Sequence, residues 1–266
     1  MCRLRVFAFL LLGNAAWAQP AVLRMVSNEF PPYVGKEPPQ QGFYAALVRQ
    51  VLAEQGVQLE LQFQPPARAH ASAAAGQVDA AFPMLRTPER EREFLFSEPL
   101  LLVRSYLFVR ADSPISGLAD LPGRRSCHLQ DSNQPEPVQR LVEGGSVKVE
   151  RVAQMAQCFE MLTRGRVDFV ALSDYGGWAA ARQATAGPEG FKRVGAPLSL
   201  GLLHLVWPRV EPRSAERAAA FNKALTELRR RGVVAQLEQE LLPPLPVDGS
   251  PAASAPQRQL RRTASP

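Results

Sequence analysis

The chain has 266 residues and a formal net charge of +6. Five arginines lie outside the part expected to fold: Arg3 and Arg5 in an N-terminal leader, and Arg258, Arg261 and Arg262 in a C-terminal tail. The remainder is close to neutral and has no basic stripe with interleaved aromatics, so a pI near 9.6 does not indicate nucleic acid.

Residues 1–18 read as an export leader. Met1–Arg5 is basic, Val6–Leu12 is apolar, and Ala16-Trp17-Ala18 has the small-x-small pattern of a cleavage site, which places the cut after Ala18. The apolar stretch is too short to span a bilayer, and no later segment reaches that length. Cys2 precedes the apolar region, which excludes a lipoprotein anchor. The expected product is soluble and periplasmic.

Val22–Ser27 is predicted to be a strand, and the prolines in Asn28–Tyr33 force an extended loop. A helix follows Gly42-Phe43, with Leu47, Val48, Val51 and Leu52 at helical spacing and Gly56 at its end. Val57–Phe63 alternates as a strand does, Pro65-Pro66 breaks it, and Ala67–Ala75 is a short helix. Val78–Met84 is the third strand, which completes a βαβαβ order typical of an α/β lobe. Thr87-Pro88-Glu89 then opens a helix with a capping Thr and an N-terminal Pro. Arg90 follows where free backbone N–H groups and a guanidinium together suit a carboxylate. The competing reading is a solvated Arg among Glu91, Arg92 and Glu93.

Leu100–Val109 is a long apolar run. Beyond it the pattern predicts a helical turn at Ser116–Leu121, a strand at Ser126–Leu129, a helix at about Pro137–Glu143, a strand at Val147–Val152 and a helix at Ala153–Arg164. Gly165–Leu172 repeats the turn-plus-strand style of Gly76–Phe82. Leu198–Trp207 is a further strand, Pro212–Arg231 a long amphipathic helix, and Val233–Leu242 a shorter one. The tail beyond Leu245 is rich in Ala, Ser, Pro and Arg and is expected to be disordered. Cys127 and Cys158 form an even pair in an oxidising compartment. They read as a strand-to-helix disulfide, with two buried free thiols as the alternative.

G-x-V-D at Gly76–Asp79, T-P-E-R at Thr87–Arg90 and F-S-E-P at Phe96–Pro99 occur in order. Together they resemble the family 3 extracellular solute-binding proteins, the periplasmic receptors of polar amino acid ABC transporters. The resemblance covers roughly Leu23 to Leu242. It implies a two-lobed type 2 periplasmic binding fold with mixed sheets flanked by helices and two crossover strands. Residues 19–108 and 199–245 would form one lobe, 109–198 the other, and 246–266 the tail. It also implies a monomer that hands a small ligand to an ABC permease in the inner membrane, with no cofactor.

Site residues carry over one by one. Arg90 would clamp the ligand's carboxylate and Phe30 would lie against the ligand. Arg68 matches a variant W-x-R motif, pointing into the cleft or lying on an exposed helix. Ser132 and Asn133 sit in the counterpart of a Q-G-[ST]-T loop, with Asp131 bringing a repelling charge. The acidic residue that receives an ammonium matches Ser173, with Asp174 one position later. Asp174 qualifies only if the strand has already ended. Asp79 and Asp168 are structural in the family. Phe82, Pro83 and Leu85 replace residues that are often small and hydroxylated, and Phe43-Tyr44-Ala45-Ala46 lacks two carboxylates. With Phe30, Phe82 and Leu85 would give a less polar first-lobe wall.

His70, His128 and His204 are scattered, and no H-E-x-x-H, C-x-x-C, G-x-S-x-G or P-loop occurs. The rival readings are a periplasmic dehydratase of prephenate-like acids, for which no spacing singles out a proton donor, and a soluble sensor subunit for a membrane kinase.

Overall fold

A computed structural model describes residues 21–130, 132, 134–243 and 245. The leader with its cleavage site, Asp131, Asn133 and the tail from residue 246 lie outside the described residues.

The strands are β1 (Ala21–Ser27), β2 (Val57–Phe63), β3 (Ala80–Leu85), β4 (Phe94–Phe96), β5 (Leu101–Arg110), β6 (Arg125–Leu129), β7 (Lys148–Val152), β8 (Phe169–Ser173) and β9 (Phe191–Pro208). The helices are α1 (Phe43–Ala53), α2 (Pro66–Ala74), α3 (Pro88–Glu93), α4 (Glu136–Glu143), α5 (Met155–Thr163), α6 (Asp174–Ala181), α7 (Ser214–Arg230) and α8 (Val233–Leu241). The sheet runs β2-β1-β3-β9-β5-β8-β6-β7, with β4 added against β9. Its two ends are alike. β1 lies parallel to β2 and β3, and β6 lies parallel to β7 and β8. Between them β5 and β9 pair antiparallel from Leu101↔Leu203 to Arg110↔Phe191. These are the two crossover strands of a two-lobed, mixed α/β fold.

Helices cover both faces of each parallel triplet, burying the inner strands while β2 and β7 stay partly exposed at the edges. In the first lobe, α1, α7 and α8 cover one face through Leu47, Val51, Phe221, Leu225 and Leu237, and Ala69 and Ala73 of α2 cover the other. In the second lobe, Phe159 and Trp178 of α5 and α6 pack on one face and Val138 of α4 on the other. Cys127 in β6 and Cys158 in α5 are joined by a disulfide, with Cα atoms 5.4 Å apart, which fits the range such a bond needs.

The repeated G-x-V-D turns do the same work in both lobes. Asp79 accepts the Arg24 N–H of β1 at 2.8 Å, and Asp168 accepts the Arg125 N–H of β6 at 2.8 Å. Each Asp returns its own N–H to the carbonyl of that same residue. The side chain thus completes the strand pairing where the turn would otherwise leave a donor open.

Three elements depart from the sequence expectation. β9 starts at Phe191, ahead of Leu198, because its first half pairs with the second half of β5. β4 is a short extra strand recruited by β9. α6 was not foreseen, since its two glycines depress helix propensity. Gly177 is there because a Cβ would lie 2.1 Å from the Phe108 ring. Tertiary packing overrides propensity at that point.

The lobes also exchange residues. Tyr175 of the second lobe packs against the first-lobe cluster, and Leu245, just beyond α8, packs against the second-lobe cluster.

Candidate functional site

In parallel α/β sheets, side chains beyond the carboxyl ends of the strands face open space where a ligand can sit. Here the carboxyl ends of both triplets border one interlobe cavity of about 460 Å³. Its first-lobe wall is Glu29, Lys36, Phe63, Gln64, Pro65 and Pro66, and its second-lobe wall is Leu129, Gln130, Ser132, Val152 and Ala153. The walls are pinned from behind. Gln64 N–H donates to the Ser27 carbonyl and Gln130 N–H to the Val152 carbonyl. Arg151 donates to the carbonyls of Leu129 and Ser132 at 2.8 and 2.6 Å.

The turn after β3 forms as its residues dictate. Thr87 caps α3, its hydroxyl accepting the Arg90 N–H at 3.4 Å. Arg90 is half-buried, and its guanidinium donates to the Leu85 carbonyl at 2.9 Å. It forms no ion pair among the described residues, so its charge is held in place without a carboxylate partner.

Around the other strand ends an aromatic joint closes the lobes. Phe30 stacks on Tyr33 at 4.8 Å, Tyr33 on Tyr44 at 5.8 Å, and the Tyr175 ring meets Tyr33 edge-on at 5.8 Å. The Tyr175 hydroxyl reaches Glu238 of α8 at 3.4 Å. Burial pushes its phenol up to about 12, with Glu238 and Asp174 adding to the shift. Tyr33 is fully buried and its phenol is raised further, again by burial first. The Tyr33 hydroxyl lies beside Ser173, yet neither hydroxyl attains hydrogen-bond geometry.

β8 ends at Ser173, so Asp174 is the first residue of α6 and has left the strand. Its carboxylate is buried and accepts from Arg193 of β9 at 2.5 Å. Arg193 also lies over the Tyr106 ring at 4.2 Å. Burial raises the Asp174 carboxyl, and the hydrogen bond and charge of Arg193 oppose that rise without cancelling it. Asp174 Oδ1 has no hydrogen-bond partner among the described residues.

The predicted residues therefore do not converge on one surface. Ser132 lines the interlobe cavity. Leu85 lines a separate groove of about 540 Å³ with Phe96, Leu200, Leu202 and the buried His204. Phe30 and Asp174 belong to the aromatic joint and its polar edge. Arg68 is exposed on α2, which fits the solvated alternative. Phe82 is 1% exposed inside the first-lobe core, so it is a packing residue rather than a cleft wall. Asn133 lies outside the described residues. Sequence reasoning missed Arg193, Tyr33, Tyr175 and most of the cavity lining. The Pro65-Pro66 break after a strand was the one signal available for that wall. Among the described residues no group of three His, Cys, Asp or Glu is arranged to hold a metal, and no helix is long and apolar enough to cross a membrane.

A family model describing the bacterial extracellular solute-binding proteins, family 3, matches residues 23–243. No curated protein matches the chain. Among solved structures, an ancestral arginine-binding protein bound to arginine is 24% identical with a TM-score of 0.70, over 84% of this chain and 99% of its own. A histidine kinase sensor domain with similarity to periplasmic binding proteins is 21% identical with a TM-score of 0.70, over 86% and 99%. The probable amino-acid ABC transporter extracellular-binding protein ytmK from Bacillus subtilis is 18% identical with a TM-score of 0.70, over 83% and 97%. At such identities these likenesses speak for the fold alone.

Proposed function

This chain belongs to the bacterial extracellular solute-binding proteins of family 3, and from that premise we propose that it captures a small carboxylate-bearing ligand between its lobes. The ligand is an amino acid or a related organic acid, and the loaded protein delivers it to an ABC permease in the inner membrane. Export to the periplasm follows from cleavage after Ala18, and the carrier acts as a monomer. The family is one of ligand binders, which sets the dehydratase reading aside.

The observation that carries this reading is Arg90. Its guanidinium is anchored on the Leu85 carbonyl at the carboxyl end of β3 and has no carboxylate partner among the described residues. A ligand carboxylate would supply that partner through a charge-assisted contact. Ligand binding at 100 times the dissociation constant adds about 2.7 kcal/mol of stability. A thermal-shift screen of amino and organic acids, followed by calorimetric titration, therefore reads it directly. Arg90→Ala should abolish binding, at a cost of about 2–5 kcal/mol, with little change in the unliganded melting temperature. Normal binding by Arg90→Ala would remove the anchor. A screen in which no acid shifts the melting temperature would remove the function.

A further inference from the structure

We propose that α8 and the residues that follow it form a strap across the two lobes, and that this strap limits how far the lobes part when no ligand is bound. β5 and β9 are the covalent crossings between the lobes. A third connection leaves the end of α8 and is held at its far end by packing alone. α8 lies on the first lobe through Val233, Val234, Leu237 and Leu241. Leu242, 4% exposed, anchors the end of the helix in the same cluster. Leu245, three positions further on, packs against the second-lobe cluster that holds Phe108, Phe159 and Trp178.

The sequence makes this connection short and stiff. Pro243 holds Leu242 in extended backbone, with φ −100° and ψ 132°, and so ends α8. A proline ring removes φ freedom, and two prolines lie between the anchors. Three residues span at most about 10 Å, so the second lobe cannot move far from Leu242 without losing Leu245. The second lobe returns the contact. Tyr175, in the first turn of α6, packs against the first-lobe cluster, meets Tyr33 edge-on and brings its hydroxyl to 3.4 Å from Glu238. Glu238 follows Leu237 at the edge of the apolar stripe of α8. Each lobe therefore holds a side chain of the other, and both contacts converge on the C-terminal end of α8. Parting the lobes there returns Leu245 and Tyr175 to water and loses their apolar burial. The apposed arrangement is thus favoured before any ligand arrives, and apparent affinity rises with the fraction of protein already in it. Neither contact involves Arg90 or the lining of the interlobe cavity, so the strap stands or falls independently of the carboxylate reading.

The test measures lobe separation in the ligand-free mature protein. Spin labels on Glu60→Cys and Glu150→Cys occupy exposed positions in β2 and β7, the outermost strands of the two lobes. Cys127 and Cys158 are joined and take no label. Pulsed dipolar spectroscopy then reads the distance between the labels with and without Leu245→Ser. The substitution should broaden the distribution and lengthen its mean by more than about 2 Å, while the far-UV circular dichroism stays that of the unmodified protein. Tyr175→Ala breaks the reciprocal contact and should lengthen the distance in the same direction. It also serves as the test should Leu245→Ser not fold. An unchanged distance distribution in folded Leu245→Ser overturns the strap. If only Tyr175→Ala folds, an unchanged distribution in that variant overturns it equally.

Discussion

Acid should unfold this protein partly through one histidine. His128 sits in β6, 4% exposed, with Arg151 directly across the β6–β7 pairing. Its Nδ1 has no hydrogen-bond partner among the described residues. Burial first and then the Arg151 charge lower its pKa to about 4, against an opposing contact with the Leu129 backbone. In the unfolded chain the same imidazole titrates near 6.5. Between those values the unfolded state takes up a proton that the folded state refuses, so stability falls as pH drops through that window. The loss is roughly 2–3 kcal/mol by pH 4.5 and grows little below pH 4. His128→Leu removes the titration while keeping the volume similar. Urea unfolding of both proteins at pH 7.5, 6.5, 5.5 and 4.5 isolates the effect, because His204 and the carboxylates contribute equally to each. The stability difference between the two should shift towards the variant by roughly 2–3 kcal/mol across that range. A difference that stays constant with pH would show that His128 is not held neutral, and the burial argument would fail.

The Cys127–Cys158 bond closes a loop with a sequence separation of 31. In the chain-entropy account, a loop of that length gives about 3.7 kcal/mol. Replacing both cysteines by serine should lower the urea midpoint accordingly, while thiol counting on the denatured, periplasmically produced protein should find no free thiol. Two reactive thiols per chain would restore the free-cysteine reading. Gly177→Ala should be severely destabilising, by roughly 3 kcal/mol or more, because the added methyl would overlap the Phe108 ring. Gly123→Ala tests strain alone, since φ is +79° there and nothing lies within 4 Å of the added carbon. It should cost only about 1 kcal/mol. Equal melting temperatures for the two variants would refute the packing argument.

Much of the fold was legible because its signals are local. The strand periodicity of Val57–Phe63, the apolar stripe after Gly42 and the Thr87-Pro88 helix start each act over a few residues, and each formed as read. The two G-x-V-D turns were legible for a related reason. One Asp at a fixed offset completes the pairing of the strand beside it, so the motif carries its own geometry. The cysteine pair was readable from compartment and number, and packing brought its two elements within 5.4 Å.

The rest depended on partners remote in sequence. A run with two glycines becomes α6 because Phe108 occupies the space beside Gly177. Asp174 meets Arg193 only once the second lobe has folded, and Tyr175 meets Tyr33 only once the two lobes are apposed. Phe82 looks like a wall residue in the motif and becomes a core residue in the sheet. Sequence alone determined the chain's family pattern, its α/β order and the Thr87-capped helix start that carries Arg90, since backbone preference and short-range hydrogen bonding dictate those. Tertiary structure decided which side chains face the interlobe cavity and which charges are already engaged. Both are set by burial and by pairing between residues that the chain itself keeps far apart.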